Sequence, residues 1–373
     1  MNRDEKSPPL PPNAGLFDHL LAKRLLSWYA AHARDLPWRR DRDPYHVWIS
    51  EIMLQQTRVD TVIPYYERFL IALPTMQALA AADEDELLKL WEGLGYYSRA
   101  RNLQKAAKMI MDVFDGDFPP AYDEMRRLPG IGSYTSGAIA SICFDLPTPA
   151  VDGNVLRVLS RLLATAGNVD APETKKQIND MLADVYISLP SQSNLRGAFT
   201  QALMELGAMI CIPNGEPSCG VCPVKDFCAA FQSDAVMQYP VRAEKKAKRE
   251  EDITVLILCC DGKYAVRRRP KKGLLAGMWE LPNVNEHLTE EGALEWAQER
   301  GIPTVSARMG LGHTHVFTHI RWHMRSVVIE CEKTEYWEMT DNATANDLVW
   351  ATPEALSEIY ALPTAFRKFV RRS

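Results

Sequence analysis

Two acids and a knot of thiols are the residues whose type and setting could do chemistry. Glu51 stands in Ser50-Glu51-Ile-Met-Leu-Gln55-Gln56-Thr57, a lone carboxyl among Ile49, Ile52, Met53 and Leu54 on a stretch with helical periodicity. Apolar surroundings disfavour the charged form of a carboxyl, so Glu51 would hold a proton near neutral pH and be able to donate it. With a second carboxylate kept ionised, such an acid makes the pair that N-glycosidic cleavage needs, one group protonating the leaving base and the other stabilising an oxocarbenium ion. The bland alternative is a Glu on a solvated helix edge. Asp152, in Val151-Asp152-Gly153-Asn154-Val155, stands immediately before a strongly apolar helix, and by itself reads as an N-cap.

Four of the eight cysteines follow one another as Cys211-x7-Cys219-x2-Cys222-x5-Cys228. Thiolates this close can wrap one soft metal centre, and zinc and a [4Fe–4S] cluster both fit. A zinc ribbon brings two close pairs together across a long gap. These four run through one compact loop after a helix, which favours iron–sulfur over zinc and over incidental thiols. A further element with chemical use is Leu128-Pro-Gly130-Ile-Gly132-Ser-Tyr134-Thr135. Its glycines permit a tight turn that exposes backbone N–H groups at the next helix start, where an anion can sit. An ordinary helix-turn-helix connection is the alternative.

These residues need elements to position them, and 373 residues at 46% hydrophobic provide for two cores. Residues 1–14 are polar and proline-rich and read as a disordered tail without a secretory pattern. Residues 15–231 repeat helical periodicity, as in Leu20-Leu21-Leu25-Trp28 and Val155-Leu156-Leu159-Leu163, and predict an all-α domain. Residues 232–252 turn polar and basic and read as a linker. Over 253–373 an α+β domain is expected, with a β-rich run at Ile253–Cys260, a mixed aromatic and β-branched stretch at Val316–Ile329, and helices near 289–299 and 353–372. The net charge of −5 argues against indiscriminate coating of nucleic acid and leaves local basic patches to decide. Arg267, Arg268, Arg269, Lys271 and Lys272, with the linker cations, could form a phosphate-facing surface, the alternative being a solvated turn. No segment has the ~18 uninterrupted apolar residues of a membrane span, so a cytoplasmic protein is expected, nucleoid-associated if bacterial.

The motifs in order carry a resemblance. Arg34-Asp-Leu36-Pro-Trp38-Arg, the Glu51 stretch, Trp91-Glu-Gly-Leu94-Gly-Tyr96-Tyr-Ser-Arg, the hairpin with Tyr134, Val-Asp152-Gly-Asn154 and the cysteine loop together resemble the MutY branch of adenine DNA glycosylases. That branch lies within the endonuclease III helix-hairpin-helix superfamily. The first cysteine spacer is one residue longer than that family's, and Asn214-Gly215 offers a turn to absorb it. The resemblance implies a [4Fe–4S] cluster on Cys211, Cys219, Cys222 and Cys228. It implies that Glu51 protonates adenine and Asp152 stabilises the sugar cation, with Tyr134 and Asn154 assisting. Arg34, Leu36 and Trp38 would line the base pocket, Gln56 with Tyr96 would fill and wedge the stack from which the base is flipped, and Thr57 and Leu94 would also contact the DNA. Gly130 and Gly132 would grip DNA. Related glycosylase-lyases carry a lysine where Tyr134 stands, so base removal without strong strand nicking is expected. A glycosylase-lyase, and a non-catalytic cluster-bearing DNA-binding or redox protein, are the competing readings.

In the C-terminal region, Leu274-Leu-Ala-Gly-Met-Trp279-Glu280-Leu281-Pro282 resembles a Nudix-related domain. A Nudix hydrolase holds Mg²⁺ on clustered glutamates, and here Asn283 stands where the first is required. Metal-dependent hydrolysis is therefore not expected. Phe317-Thr318-His319 resembles the Phe-Ser-His loop that reads 8-oxoguanine in the MutY branch, with Thr keeping the hydroxyl. The expected substrate is double-stranded DNA with A opposite 8-oxoguanine or G, bound by a monomer.

Overall fold

A computed structural model of the chain describes residues 19–191, 194–244, 247–333 and 348–370. The expected tail at 1–14, and Lys245 and Lys246 of the expected linker, lie outside the described residues. The chain divides into two compact units, one running to Ala81 and resuming over Asn102–Glu244, the other joining Ala82–Arg101 to the residues from Lys245 onward.

The first unit is helical. It contains α1 (His19–His32), α2 (Pro44–Leu54), α3 (Val59–Ala72) and α4 (Met76–Ala81). After α5 (Glu84–Leu90), which belongs to the second unit, α6 (Ser98–Val113) leads back to α7 (Tyr122–Met125), α8 (Ser133–Phe144), α9 (Gly153–Leu163), α10 (Pro172–Ser188), α11 (Leu195–Met209) and α12 (Ala229–Gln232). Helices α1, α9, α10 and α11 share one apolar core. Leu21 and Leu25 meet Val155 and Leu159, Ile178 and Leu182, and Phe199 and Leu203 there. In α9 burial goes all the way round and takes in Arg157 and Arg161. Buried guanidinium groups must find acceptors, and each of these has one in the cysteine loop, Cys211 O for Arg157 and Ile212 O for Arg161.

The second unit carries a mixed sheet of order β3-β2-β1-β6-β5, with β4 on β1 and β7 on β2. Its long members are β1 (Arg249–Cys260), β5 (Thr304–Val316) and β6 (Ile320–Cys331); β2 (Lys263–Arg268), β3 (Trp279–Glu280), β4 (Asn283–Val284) and β7 (Leu348–Ala351) are shorter. β1 runs parallel to β6, with Arg249 opposite Ile320 and Cys259 opposite Glu330. Ile253, Val255 and Ile257 face the core built with Phe366 and Phe369, while Leu256 and Leu258 face Ala293 and Ala297 of α13 (Glu290–Gln298). Coverage of both faces explains why β1 is a continuous apolar run.

Two element boundaries differ from the sequence expectation. The stretch at 316–329 is divided by a turn, because Phe317 N–H bonds to Ile320 O and folds β5 back on β6. The helix expected over 353–372 breaks into α14 (Pro353–Glu358) and α15 (Thr364–Val370), since Pro363 has no N–H to continue the first. Among the described residues no helix is long and apolar enough to cross a membrane.

Candidate active site

Glu51 is placed by α2, which starts at Pro44 behind an Asp43 cap and is buried from Val47 to Met53. Helical spacing brings Glu51 to the inner wall of an open cleft of about 1310 Å³ in the first unit, with only 6% of the residue exposed. Tyr134 sits in the first turn of α8, and its hydroxyl donates a short hydrogen bond to Glu51 Oε2. Asp152 is the N-cap of α9, accepting from Val155 N at 2.7 Å and from Asn154 Nδ2 at 2.8 Å. The cap reading of Asp152 therefore holds, and the same carboxylate lines the cleft with Glu51, Tyr134 and Asn154.

Two glycines make that convergence possible. A Cβ on Gly137 of α8 would lie 2.0 Å from Pro149 O, so only glycine lets the chain leading to Asp152 pass that close. A Cβ on Gly207 of α11 would lie 2.7 Å from Asn154 Cβ, so α9 can start against α11 only there.

Burial disfavours the charged form of both acids. Burial, with the charge of Asp152 adding to it, pushes the Glu51 carboxyl up to about 7, while the Tyr134 hydrogen bond and Arg39 hold it lower. Burial also raises Asp152, but it accepts from two backbone N–H groups and the Asn154 amide and faces Arg157, all of which favour the anion. Tyr134 is raised well above the usual phenol range by burial and by the Glu51 charge, so it remains a proton donor.

Of the other expected residues, Arg34, Leu36, Trp38, Gln56 and Thr57 line the same cleft. Leu36 and Trp38 are buried, the latter edge-on to Tyr66, and Gln56 takes a left-handed φ of 58°. Gly130, at φ 79°, and Gly132, which precedes α8, form the hairpin turn. Leu94, Tyr96, Phe317, Thr318 and His319 belong to the second unit. There Tyr96 and Thr318 hydroxyls are hydrogen-bonded, and Phe317 packs edge-on between His315 and Trp322.

Sequence reasoning missed Glu205. Fully buried on α11, it accepts from Arg34 Nε at 2.8 Å and Nη2 at 2.9 Å and from Arg39 Nη2 at 2.7 Å on the cleft wall. Burial alone would raise this carboxyl, yet the two guanidinium groups hold it at about 2. An acid among Leu203, Met204 and Leu206 carries the same signal that drew attention to Glu51.

Three of the five cations expected to face phosphate, Arg267, Arg268 and Arg269, are ion-paired with acids. Arg267 and Arg269 pair with Glu280, which is 2% exposed, and Arg268 pairs with Asp85 at 2.6 Å.

The four cysteines line one small, largely apolar cavity with Val158, Leu162 and Ile210. Arg161 Nη1 lies 3.2 Å from Cys211 Sγ, and backbone N–H groups of Val224 and Phe231 point at Cys222 and Cys228, but burial outweighs them and pushes the Cys222 thiol up to about 12 and the Cys228 thiol upward. The extra residue of the first spacer coincides with a bend at Gly215, φ 78°. Among the described residues no three His, Cys, Asp or Glu side chains are gathered as a metal-ion site. Arg157 links this loop to the cleft, donating to Cys211 O at 2.7 Å, Gly207 O at 2.8 Å and Asn154 Oδ1 at 2.8 Å.

Residues 49–184 match the family of HhH-GPD superfamily base excision DNA repair proteins, and residues 253–372 match the NUDIX domain family. The chain is 34% identical to the adenine DNA glycosylase of Rattus norvegicus, over 94% of this chain and 77% of that protein. It is 33% identical to the adenine DNA glycosylase of Buchnera aphidicola subsp. Schizaphis graminum, over 83% of this chain and 88% of that protein. A solved thermostable thymine-DNA glycosylase superimposes with a TM-score of 0.52 at 25% identity, covering 59% of this chain and 99% of that one.

Proposed function

The chain belongs to the adenine DNA glycosylase family, base-excision-repair enzymes that hydrolyse N-glycosyl bonds, and from that premise we propose that it removes adenine paired with 8-oxoguanine, and with guanine, through Glu51 and Asp152. The observation that carries the proposal is a buried, Tyr134-bonded carboxyl sharing one cleft with a carboxylate tied to a helix N-terminus. Glu51, protonated near neutral pH, donates to the purine ring and makes adenine a neutral leaving group. Asp152, held anionic by Asn154 and the α9 N-terminus, stabilises the positive charge that develops on the sugar and orients the attacking water. Tyr134 donates to the Glu51 carboxyl, orients it and holds its pKa from rising further. Arg34, fixed by Glu205, and Leu36 and Trp38 make the wall that receives a flipped base. Gln56 and Tyr96 occupy the gap in the duplex, and Thr57 and Leu94 contact the DNA. The Gly130–Gly132 turn offers backbone N–H groups to a phosphate. Phe317, Thr318 and His319 contact the oxidised base.

Cys211, Cys219, Cys222 and Cys228 would hold a [4Fe–4S] cluster. Four thiols line one small cavity, and thiolate ligands suit a soft iron–sulfur centre. Such a group would supply folding energy to the loop and thereby hold Cys211 O against Arg157. The enzyme acts as a monomer on DNA in the cytoplasm. A neutral phenol at position 134 cannot form a Schiff base, so strand nicking is weak.

The test is strand scission of duplexes with A opposite 8-oxoguanine, C or T, each with and without alkali. Breakage confined to the first duplex and dependent on alkali is expected; efficient breakage without alkali, or equal breakage of A opposite T, refutes the proposal. Purified protein should be brown, and colourless active protein refutes the cluster.

A further inference from the structure

We infer that Glu92 is the positioning residue through which the C-terminal helices hold the loop that presents Tyr96. The inference rests on the reading of Tyr96 as the residue that wedges the base stack. Residues 82–101 belong to the same compact unit as the C-terminal sheet and its helices. Within that unit the Glu92 side chain is 8% exposed, and it meets Lys89 Nζ at 2.9 Å, Leu362 N at 2.9 Å and the guanidinium of Arg367 on α15. A buried carboxylate so surrounded is fixed in place, whereas the neighbouring Arg268–Asp85 pair is about two-fifths exposed and contributes little.

The loop that follows needs such support. Gly93, Gly95 and Tyr96 have left-handed φ values of 107°, 70° and 46°, a conformation that a tyrosine adopts only under constraint. Arg99 closes the far side, donating to Leu94 O at 3.0 Å and Gly95 O at 3.1 Å, with its guanidinium 5.3 Å from the Trp91 ring and 5.7 Å from that of Tyr96. Glu92 thus fixes the loop at its start, Arg99 at its end, and the Thr318 hydroxyl meets its tip. Tyr96 itself is 44% exposed and ready to stack on a base. Loosening Glu92 widens the range of Tyr96 positions and weakens stacking while leaving the Glu51–Asp152 cleft as it is.

The experiment uses the full chain and a duplex with A opposite 8-oxoguanine and 2-aminopurine beside the oxidised base, whose fluorescence changes when an aromatic residue inserts. Tyr96→Ala defines the signal without insertion. Glu92→Gln and Arg367→Met should each reduce the signal change and weaken duplex binding about tenfold, with the adenine release rate at saturating enzyme equal to the parent's. Thermal melting confirms that at least one variant is folded. Parent-like fluorescence and affinity in a folded Arg367→Met or Glu92→Gln protein overturns the inference, as does a saturating rate that falls with the affinity. If Tyr96→Ala retains the parent signal, the wedge reading fails and takes the inference with it. If Tyr96→Ala abolishes the signal and the other variants do not, the inference alone fails.

Discussion

Tyr134→Phe isolates the proton on Glu51. The substitution keeps the ring that fills the cleft wall and removes the hydroxyl that donates to the carboxylate. A hydrogen bond to a charged group is worth about 1.5–3 kcal/mol and favours the ionised form, and each 1.36 kcal/mol corresponds to one pKa unit. Its loss should therefore raise the Glu51 pKa from about 7 by roughly one to two units. Because base release needs Glu51 protonated, the alkaline limb of the rate profile should move by the same amount toward higher pH. Single-turnover adenine release from a duplex with A opposite 8-oxoguanine, followed over roughly pH 5.5 to 9.5, reads the limb directly. The position of the limb carries the test, since Tyr134 may be replaced at some cost in plateau rate. A limb that stays in place, or moves to lower pH, refutes the assignment of that proton to Glu51.

Two further outcomes follow from the same geometry. Arg157→Met leaves one buried and two half-buried acceptors without this donor and should lower stability by roughly 2–3 kcal/mol; adenine release at a temperature where the variant is folded should also fall, because Asn154 loses one of its anchors. Thermal unfolding with single-turnover rates checks both, and lost stability at an unchanged rate contradicts the link to Asp152. Glu51→Gln should stabilise the fold above neutral pH. The folded carboxyl keeps its proton to about pH 7 whereas a free glutamate titrates near 4.5, so parent stability declines as pH rises across that interval and levels off above it. At pH 8 the variant should gain up to about 3 kcal/mol in urea unfolding, and at about pH 4.5 nothing; an equal difference at both values removes burial as the cause.

Local pattern made Glu51 and Asp152 legible, because each announces itself within a few residues: an acid among aliphatics, and an acid before an apolar helix. The family motifs assigned their pairing. Glu205 carries the same local signal but acts with Arg34 and Arg39, 171 and 166 residues away, and no sequence window joins them. The ion pairs of Arg267, Arg268 and Arg269 were hidden for the same reason, as Glu280 and Asp85 come from elsewhere in the chain. Periodicity likewise placed Leu94 and Tyr96 among helices, while their packing with the C-terminal sheet depends on tertiary contacts of Glu92 and Arg101. The overall order, helices followed by an α+β region, was readable because the hydrophobic period changes after residue 252.

The most direct measurement is adenine release from the 8-oxoguanine mispair by Glu51→Gln and Asp152→Asn, each assayed at saturating enzyme beside a binding isotherm for the same duplex. The account predicts that both variants bind and neither turns over at an appreciable rate. Release at the parental rate by either one would contradict it.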